Sequence, residues 1–485
     1  MIPINNVSSA DTKPLYLRLY ATVASDIITG KRKTGEKLPS IRSCASSHGI
    51  SKNTVEAAYN ELLAEGFIEA RPKSGFYVCD AEPLKKRWNN SERLQQRTAP
   101  DAEDENPDNT FTINLEANRI DESLFPYTVL RKLYRDTVSG KKAGLFLKKG
   151  EAQGDREFRK AVSSYLIWSK GLVCSEDSVV IGAGTEYLLQ LTVKLLQKAG
   201  DLSADKGSIS PVEFLLEDPG YDKIRSIIYD ERCIVKSIPV DSGGISISDL
   251  AENTAGTMTV RSVYVTPSHQ FPMGVTMTYR RRQELLAWAA QNNAFVIEDD
   301  YDSDFYYTGK ILPSLQSMDE HDKVLYMGTF SRSLAPSMRV SYLVLPKNLL
   351  SIYKQYFGHY SCTVSRIEQH VIQEFIKQGH FERHINRTRR VYKQRRDFMI
   401  KTLTTLIPDG RISGDHAGLH FVFTVPYSIQ RKTFEEKALQ KGLKIKTLET
   451  PPDDRNIQCI IGYAHLSEEN MVNAAEIIST VLHDA

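Results

Sequence analysis

The chain reads as an α/β protein in which a small winged helix-turn-helix precedes a large domain built on a mostly parallel sheet. Three observations predict this. The first eighty residues hold three helical apolar patterns and then two short β-rich runs. From Ile113 onward, β-rich runs alternate with helix-length segments, the pattern of a sheet covered on both faces. Between them, residues 81–112 are charged and polar, with too little apolar surface to fold alone. The expected division is therefore 1–80, a linker 81–112, and 113–485. At 485 residues the chain exceeds what one hydrophobic core organises.

In the first segment a helix is expected over Leu15 to Thr29, where Leu15, Leu19, Val23 and Ile27 recur at helical spacing before Gly30. Ser40 is a candidate N-cap for Ile41 to Ser47, and His48-Gly49-Ile50 makes a turn. Ser51 caps Lys52 to Glu65, with Val55, Ala58, Tyr59, Leu62 and Leu63 facing inward. Gly66 to Glu69 and Gly75 to Val78 read as strands around Arg71-Pro72-Lys73-Ser74. Two helices across a glycine turn, followed by a hairpin, make a winged helix-turn-helix. Ser51, Lys52, Asn53 and Thr54 then stand at the start of the third helix, where base edges are reached in the major groove. Arg42, Arg71 and Lys73 are placed to meet phosphates or the minor groove, and Lys37 to meet phosphate. A helical protein-interaction domain with a solvated charged face is the alternative, and net charge does not separate the two.

Composition narrows the classes. Net charge is only +2, so a nucleic-acid surface has to be a local patch. Six cysteines without a CxxC pair suit a reducing compartment and offer neither a zinc site nor a disulfide framework. No signal-type apolar segment and no run of ~20 apolar residues is visible, so a cytoplasmic protein without a membrane partner is expected.

In the large domain, Val179 to Ile181 reads as a strand, and Ala183-Gly184-Thr185 then opens a helix. Its backbone N–H groups and hydroxyl suit a phosphate, although glycine at such a turn also serves packing. Glu217-Asp218-Pro219-Gly220-Tyr221 is a turn ending in an aromatic able to stack on a flat ring, or simply a surface turn. Thr266 to Gly274 is a polar loop after the strand Ser262 to Val265. Phe295 to Ile297 runs into Glu298-Asp299-Asp300-Tyr301-Asp302-Ser303-Asp304. Carboxylates at the C-terminal end of a strand sit where α/β sheets bind ligands, and a buried aspartate there keeps a pyridine nitrogen protonated. A magnesium-type acidic cluster is the alternative, but no second matching cluster is visible, so no metal is expected. Leu325 to Met327 precedes Gly328-Thr329-Phe330-Ser331-Arg332-Ser333-Leu334-Ala335-Pro336, and Arg339 follows, able to fork onto a phosphate beside Thr329 and Ser331.

Residues 14–78, through Gly35-Glu36-Lys37-Leu38-Pro39-Ser40-Ile41-Arg42, Ser51 to Val55 and Leu62 to Ile68, resemble the GntR family of bacterial regulators. The motifs of the large domain, in this order, resemble fold-type I aminotransferases, and the fusion resembles the MocR/GabR family of transcription factors. The resemblance implies a large pyridoxal phosphate transferase-like domain with a smaller C-terminal α+β part. It implies that Gly184, Thr185, Thr329, Ser331 and Arg339 hold the phosphate, that Tyr221 stacks on the ring, that Asp299 pairs with its nitrogen, and that Tyr301 bonds near its phenolic oxygen. It also implies a head-to-tail homodimer on repeated half-sites of a double-stranded DNA operator, with a small-molecule effector. Two departures stand out. Arg332 occupies the place of the lysine that holds pyridoxal phosphate as a Schiff base, and a guanidinium has no free amine to attack an aldehyde. Ile460 occupies the place where aminotransferases often carry an arginine for the substrate carboxylate; Arg455 is near it in sequence. No catalytic residue is therefore assigned. Pyridoxal phosphate docks without a covalent bond, arrives as an adduct with an amine or amino acid, or is absent. The expected function is a DNA-binding regulator that senses a ligand without turnover. An active aminotransferase using another lysine, with Lys310 and Lys323 nearby, and a large domain serving only as a dimerisation scaffold are the alternatives.

Overall fold

The structure is a computed structural model that describes residues 14–80, 112–117, 119–140, 143–203, 212–253, 260–309, 312–426, 430–448 and 456–483. It divides into two compact units, 1–106 and 107–485. The expected linker lies outside the described residues except for Thr112, as do Lys310 and Arg455. No helix among the described residues is long and apolar enough to cross a membrane.

The first unit runs α1 (Leu15–Ile28), α2 (Ile41–His48), α3 (Lys52–Ala64), β1 (Ile68–Arg71) and β2 (Gly75–Val78). Ser40 Oγ accepts the Ser43 N–H and Ser51 Oγ accepts the Thr54 N–H, so α2 and α3 begin where an otherwise orphaned backbone donor finds a hydroxyl. Between them Gly49 takes the left-handed conformation at φ 65, which lets the Ile50 N–H close onto Ala45 O. Leu19, Val23, Ile27, Val55, Tyr59, Leu62, Phe67 and Val78 share one buried cluster, and the Tyr59 hydroxyl donates to Pro39 O at 3.1 Å. Leu15 does not join it and stays 51% exposed. The first wing strand starts at Ile68 and not Gly66, because Gly66, at φ 78, turns the chain out of α3. In the wing, Ile68 stands opposite Val78 and Arg71 opposite Gly75, with Lys73 in the connecting turn.

The second unit is organised by an eight-stranded sheet. Its strands are β4 (Val179–Gly182), β5 (Val212–Asp218), β6 (Ile234–Asp241), β7 (Gly244–Ile245), β8 (Val260–Val265), β9 (Phe295–Asp300), β10 (Val324–Thr329) and β11 (Ser341–Val344); β3 (Ile113–Asn114) lies apart. The order is β4-β11-β10-β9-β8-β5-β6-β7. The pairs from β10 through β9, β8 and β5 to β6 are parallel, and β11, β4 and β7 join antiparallel. Successive strand residues point to opposite faces. Val180, Phe214, Leu216, Ile297, Leu325 and Leu343 therefore enter one cluster with the helix Thr185–Ser203, while Leu215, Val263, Val265 and Val296 enter another with the helix Tyr279–Gln291. These strands are apolar on both faces, which explains their continuous apolar runs. The helix after β4 starts at Thr185, as the Ala183-Gly184-Thr185 turn predicts, and extends to Ser203.

A smaller sheet follows in the C-terminal part, β12 (Arg411–Ser413), β13 (His420–Val425), β16 (Ile457–Gly462) and β15 (Lys446–Thr447), in that order. The remaining short strand, β14 (Leu443–Lys444), pairs in parallel with β3. The helices His380–Leu406, Arg431–Gln440 and Glu468–His483 pack with this part, so it is α+β.

The cap of α3 has a measurable consequence. Ser51→Ala removes the acceptor of the Thr54 N–H at a cost of about 1 kcal/mol. Hydrogen exchange of the α3 amides in the full chain is expected to quicken about fivefold, and Ser51→Asp is expected to restore it.

Candidate functional site

The parallel strands of the large unit end on one edge, and a cavity of about 270 Å³ opens there. Thr185, Tyr221, Asp299, Tyr301, Thr329, Ser331 and Arg339 all line it, together with Arg332. Residues far apart in sequence meet because each closes or follows a strand: Asp299 on β9, Thr329 on β10, Tyr221 after β5 and Thr185 after β4. This is the edge at which α/β sheets place ligands.

Asp299 is buried, and only one of its oxygens is used. The Tyr264 hydroxyl donates to Oδ2, while Oδ1 has no hydrogen-bond partner among the described residues. Burial pushes its carboxyl up to about 7; the Tyr264 hydrogen bond pulls it down, Asp300 pushes it up and the Arg332 charge pulls it down. An unpaired buried acceptor of this kind is costly unless a donor arrives. A ring N–H is a donor of the right type.

The opposite chemistry gathers around Arg339. Gly184, at φ +97, has no side chain, and a Cβ there would stand 2.2 Å from Arg339 Nη2. Glycine is thus required for the guanidinium to pass over the start of the helix Thr185–Ser203. Nearby, Thr329 Oγ1 accepts the Ser331 N–H at 3.0 Å and the Ser341 hydroxyl at 2.8 Å, while Ser331 Oγ is buried without a partner. A helix start, two cations and an unused hydroxyl form a cradle for an anion. One acidic residue intrudes: Glu186 pairs with Arg339 and, at 2.6 Å, with Lys223 Nζ. Burial works against its charge, but these hydrogen bonds hold its carboxyl down at about 2, so it stays ionised.

Arg332 also reaches this cavity. Nη1 donates to Ala117 O at 3.0 Å, and the guanidinium lies 5.3 Å from the centre of the Tyr301 ring. No carboxylate lies within ion-pair distance of it among the described residues. The Tyr301 hydroxyl donates to His269 O at 2.8 Å, which leaves its oxygen as an acceptor. Tyr221 is half-exposed and meets Phe271 edge-on at 5.4 Å.

The other aspartates of the acidic run turn away from the cavity. Asp300 and Asp304 pair with Lys170, and Tyr165 donates to Asp304. Asp302 binds His269 Nδ1 at 3.0 Å, and His269 Nε2 meets Gly414 O at 3.0 Å. Burial opposes charge on His269, yet the Asp302 carboxylate lifts it above its ordinary value. His269, Asp302 and His420 stand close enough to hold a metal ion. However, both His269 nitrogens already have acceptors, which is the arrangement of an imidazolium and not of a metal ligand.

Ile460 lies on β16 in an apolar cluster with Ala117, Val422 and Leu448, against Phe271 and Met273. Sequence reasoning passed over Tyr264, Glu186, Lys223 and Phe271. Tyr264 sits in an apolar strand run and reads as core, and Glu186 and Lys223 read as solvated helix charges; only the cavity shows their role. Of the other lysines considered, Lys323 bonds Asn293 and is not among the cavity residues.

In the first unit, Lys37, Arg42, Lys52, Asn53, Arg71 and Lys73 are all exposed. Ser51 and Thr54 are occupied locally: their hydroxyls bond each other at 2.8 Å as part of the α3 cap. Arg71 pairs with Glu69 at 2.7 Å and lies 4.3 Å from the Tyr77 ring centre.

Asp299 links the cavity to stability. Its carboxyl sits above the ordinary 3.8, so the folded chain keeps a proton that the unfolded chain has lost. Stability therefore falls as pH rises from about 4 to about 7, and the full penalty stands above that. Asp299→Asn is expected to melt several degrees higher than the wild type at pH 8, with the gap narrowing toward pH 4 in thermal scans.

Comparison with known proteins agrees with both units. Residues 15–78 match the model of bacterial regulatory proteins of the gntR family, and residues 112–478 match aminotransferase class I and II. The uncharacterised HTH-type transcriptional regulator YdeL of Bacillus subtilis (strain 168) is 36% identical over 94% of each chain. The probable rhizopine catabolism regulatory protein MocR of Rhizobium meliloti is 27% identical over 94% of this chain and 92% of its own. Kynurenine aminotransferase of Pyrococcus horikoshii shares the fold of the large unit, with a TM-score of 0.65 at 22% identity over 82% of this chain and 94% of its own. With the winged helix in front and the aminotransferase fold behind it in one polypeptide, the chain belongs to the MocR/GabR family of transcription regulators.

Proposed function

We propose that this regulator uses its aminotransferase-like domain to bind pyridoxal phosphate, or an amine or amino-acid adduct of it, without turning it over. The observation that carries this reading is the guanidinium of Arg332 in a cavity that otherwise offers what a phosphorylated pyridine needs. Asp299 Oδ1 lacks a donor and would receive the ring nitrogen. Arg339, Thr185, Ser331, Thr329 and the bare backbone at Gly184 would hold the phosphate, Tyr221 would cover the ring, and Tyr301 would border its oxygen. When bound, the cofactor would supply an electron-withdrawing ring. The chain's own groups would bind and orient it, and with arginine at 332 none of them would stand in for the Schiff-base lysine.

Lys223 is a primary amine in the cavity, and an active transaminase would need such a group. Its hydrogen bond to Glu186 raises it above its ordinary value, so it stays protonated and is a poor nucleophile. A scaffold without ligand has one observation in its favour: Glu186 already occupies Arg339.

Ligand binding would bias one arrangement of a homodimer and so the spacing of two winged helices on operator DNA. Lys37, Lys52 and Lys73 would contact phosphate, with Arg42 and Arg71 beside the duplex, while Asn53 at the start of α3 would read a base edge and Ser51 and Thr54 would hold the helix end in place.

Measurements on the ligand site and on DNA test these assignments. Equilibrium dialysis is expected to show saturable pyridoxal phosphate binding, and borohydride reduction followed by peptide mapping is expected to find no attachment within the cavity. Arg332→Lys is expected to gain attachment at residue 332. A reduced adduct on Lys223 of the wild type would revive the enzyme reading, and absence of binding would favour the scaffold. Glu186→Gln removes a competing carboxylate and is expected to tighten pyridoxal phosphate binding about fivefold, the size of a part-exposed ion pair. On DNA, Lys52→Ala and Lys73→Ala should each weaken binding to all sequences and lower the salt slope by about one. Asn53→Ala should instead change base preference by about 1–3 kcal/mol in competition gel shifts.

A further inference from the structure

The cavity has more positive charge than its own carboxylates neutralise. Arg339 and Lys223 share one partner, Glu186. Among the described residues, Arg332 makes one hydrogen bond, to a backbone carbonyl, and packs against the face of Tyr301. A guanidinium carries five donors and no acceptor, and it does not give up its charge. A group next to it must therefore accept hydrogen bonds, and benefits most if it is an anion. Ile460, at the position where an arginine could receive an acidic group, instead joins Ala117, Val422 and Leu448 in an apolar cluster against Phe271, itself a cavity residue.

We propose that Arg332 is a ligand receptor and not an inert replacement: it makes the pocket select phosphorylated pyridines by the substituent at the ring carbon that would otherwise meet a lysine. A carboxylate or carbonyl oxygen there is accepted, and an ammonium is refused. This rests on reading the cavity as a vitamin B6 phosphate site, and it names which oxidation and charge state of that ligand the protein reports. The amine form, the product of transamination, is the form such a sensor ignores.

Three probes that cannot form an imine with a lysine test the idea on the full-length protein by calorimetry. They are pyridoxine 5′-phosphate, pyridoxamine 5′-phosphate and 4-pyridoxic acid 5′-phosphate, which carry an uncharged hydroxyl, an ammonium and a carboxylate at the same ring position. Relative to the hydroxyl compound, the carboxylate is expected to bind about tenfold tighter, as a charge-assisted hydrogen bond to Arg332 would make it. The ammonium is expected to bind about tenfold weaker, because a like charge opposes it. Arg332→Gln should compress the three affinities to within about threefold, and Arg332→Lys, which keeps the charge, should restore the ranking. Circular dichroism spectra and melting temperatures close to those of the wild type would show that both variants are folded. If the ammonium compound binds as tightly as the carboxylate, or if Arg332→Gln leaves the ranking intact, the selectivity is overturned while the B6 site stands. If none of the three binds, the B6 reading itself fails and this inference with it.

Discussion

The large unit is arranged around a buried carboxylate that is left half-satisfied. Asp299 is the penultimate residue of β9 in the middle of a parallel sheet, with strands on both sides and apolar layers on both faces. Tyr264 from β8 saturates one oxygen, and nothing among the described residues saturates the other. A fold selected only for stability would place an apolar side chain here, or would complete the network. Keeping the unpaired atom is intelligible as preparation for a donor from outside.

Asp299 has company. Glu217 receives the Thr266 hydroxyl and N–H, and Glu298 receives the N–H groups of Leu315 and Gln316; burial pushes both up to about 7. Glu217 ties the cavity residue Thr266 to the sheet edge, whereas Glu298 holds the start of the short helix Leu315–Met318, which is not among the elements lining the cavity. Asp300 and Asp304 grip Lys170, and Asp302 grips His269, whose carbonyl in turn receives Tyr301. A run of acids that looks uniform along the chain thus has separate tasks: most of it positions the site, and one member opens into it.

The cations show a similar division. Arg339 passes over the bare backbone of Gly184 and shares the carboxylate of Glu186 with Lys223. Among the described residues, Arg332 meets a backbone carbonyl and the face of a ring. An ion pair satisfied within the protein and a charge left for a ligand differ more in consequence than in chemistry.

The elements and their order are legible along the chain alone. Helical periodicity with Ser40 and Ser51 at the caps, and apolar runs ending in Thr329 or Asp299, are local properties that need no partner. The misreadings were equally local: Leu15 fits the stripe of α1 but lies beyond the reach of the core, and Gly66 looks like strand until its left-handed turn is seen. Other features emerge once the chain is folded. Among them are which aspartate opens into the cavity, that Tyr264 holds it, that Glu186 sits on Arg339, and that Ile460 builds an apolar wall. Each of these depends on a meeting of strands or loops tens to hundreds of residues apart. Strand register and burial set such meetings, and no pattern along the chain records them.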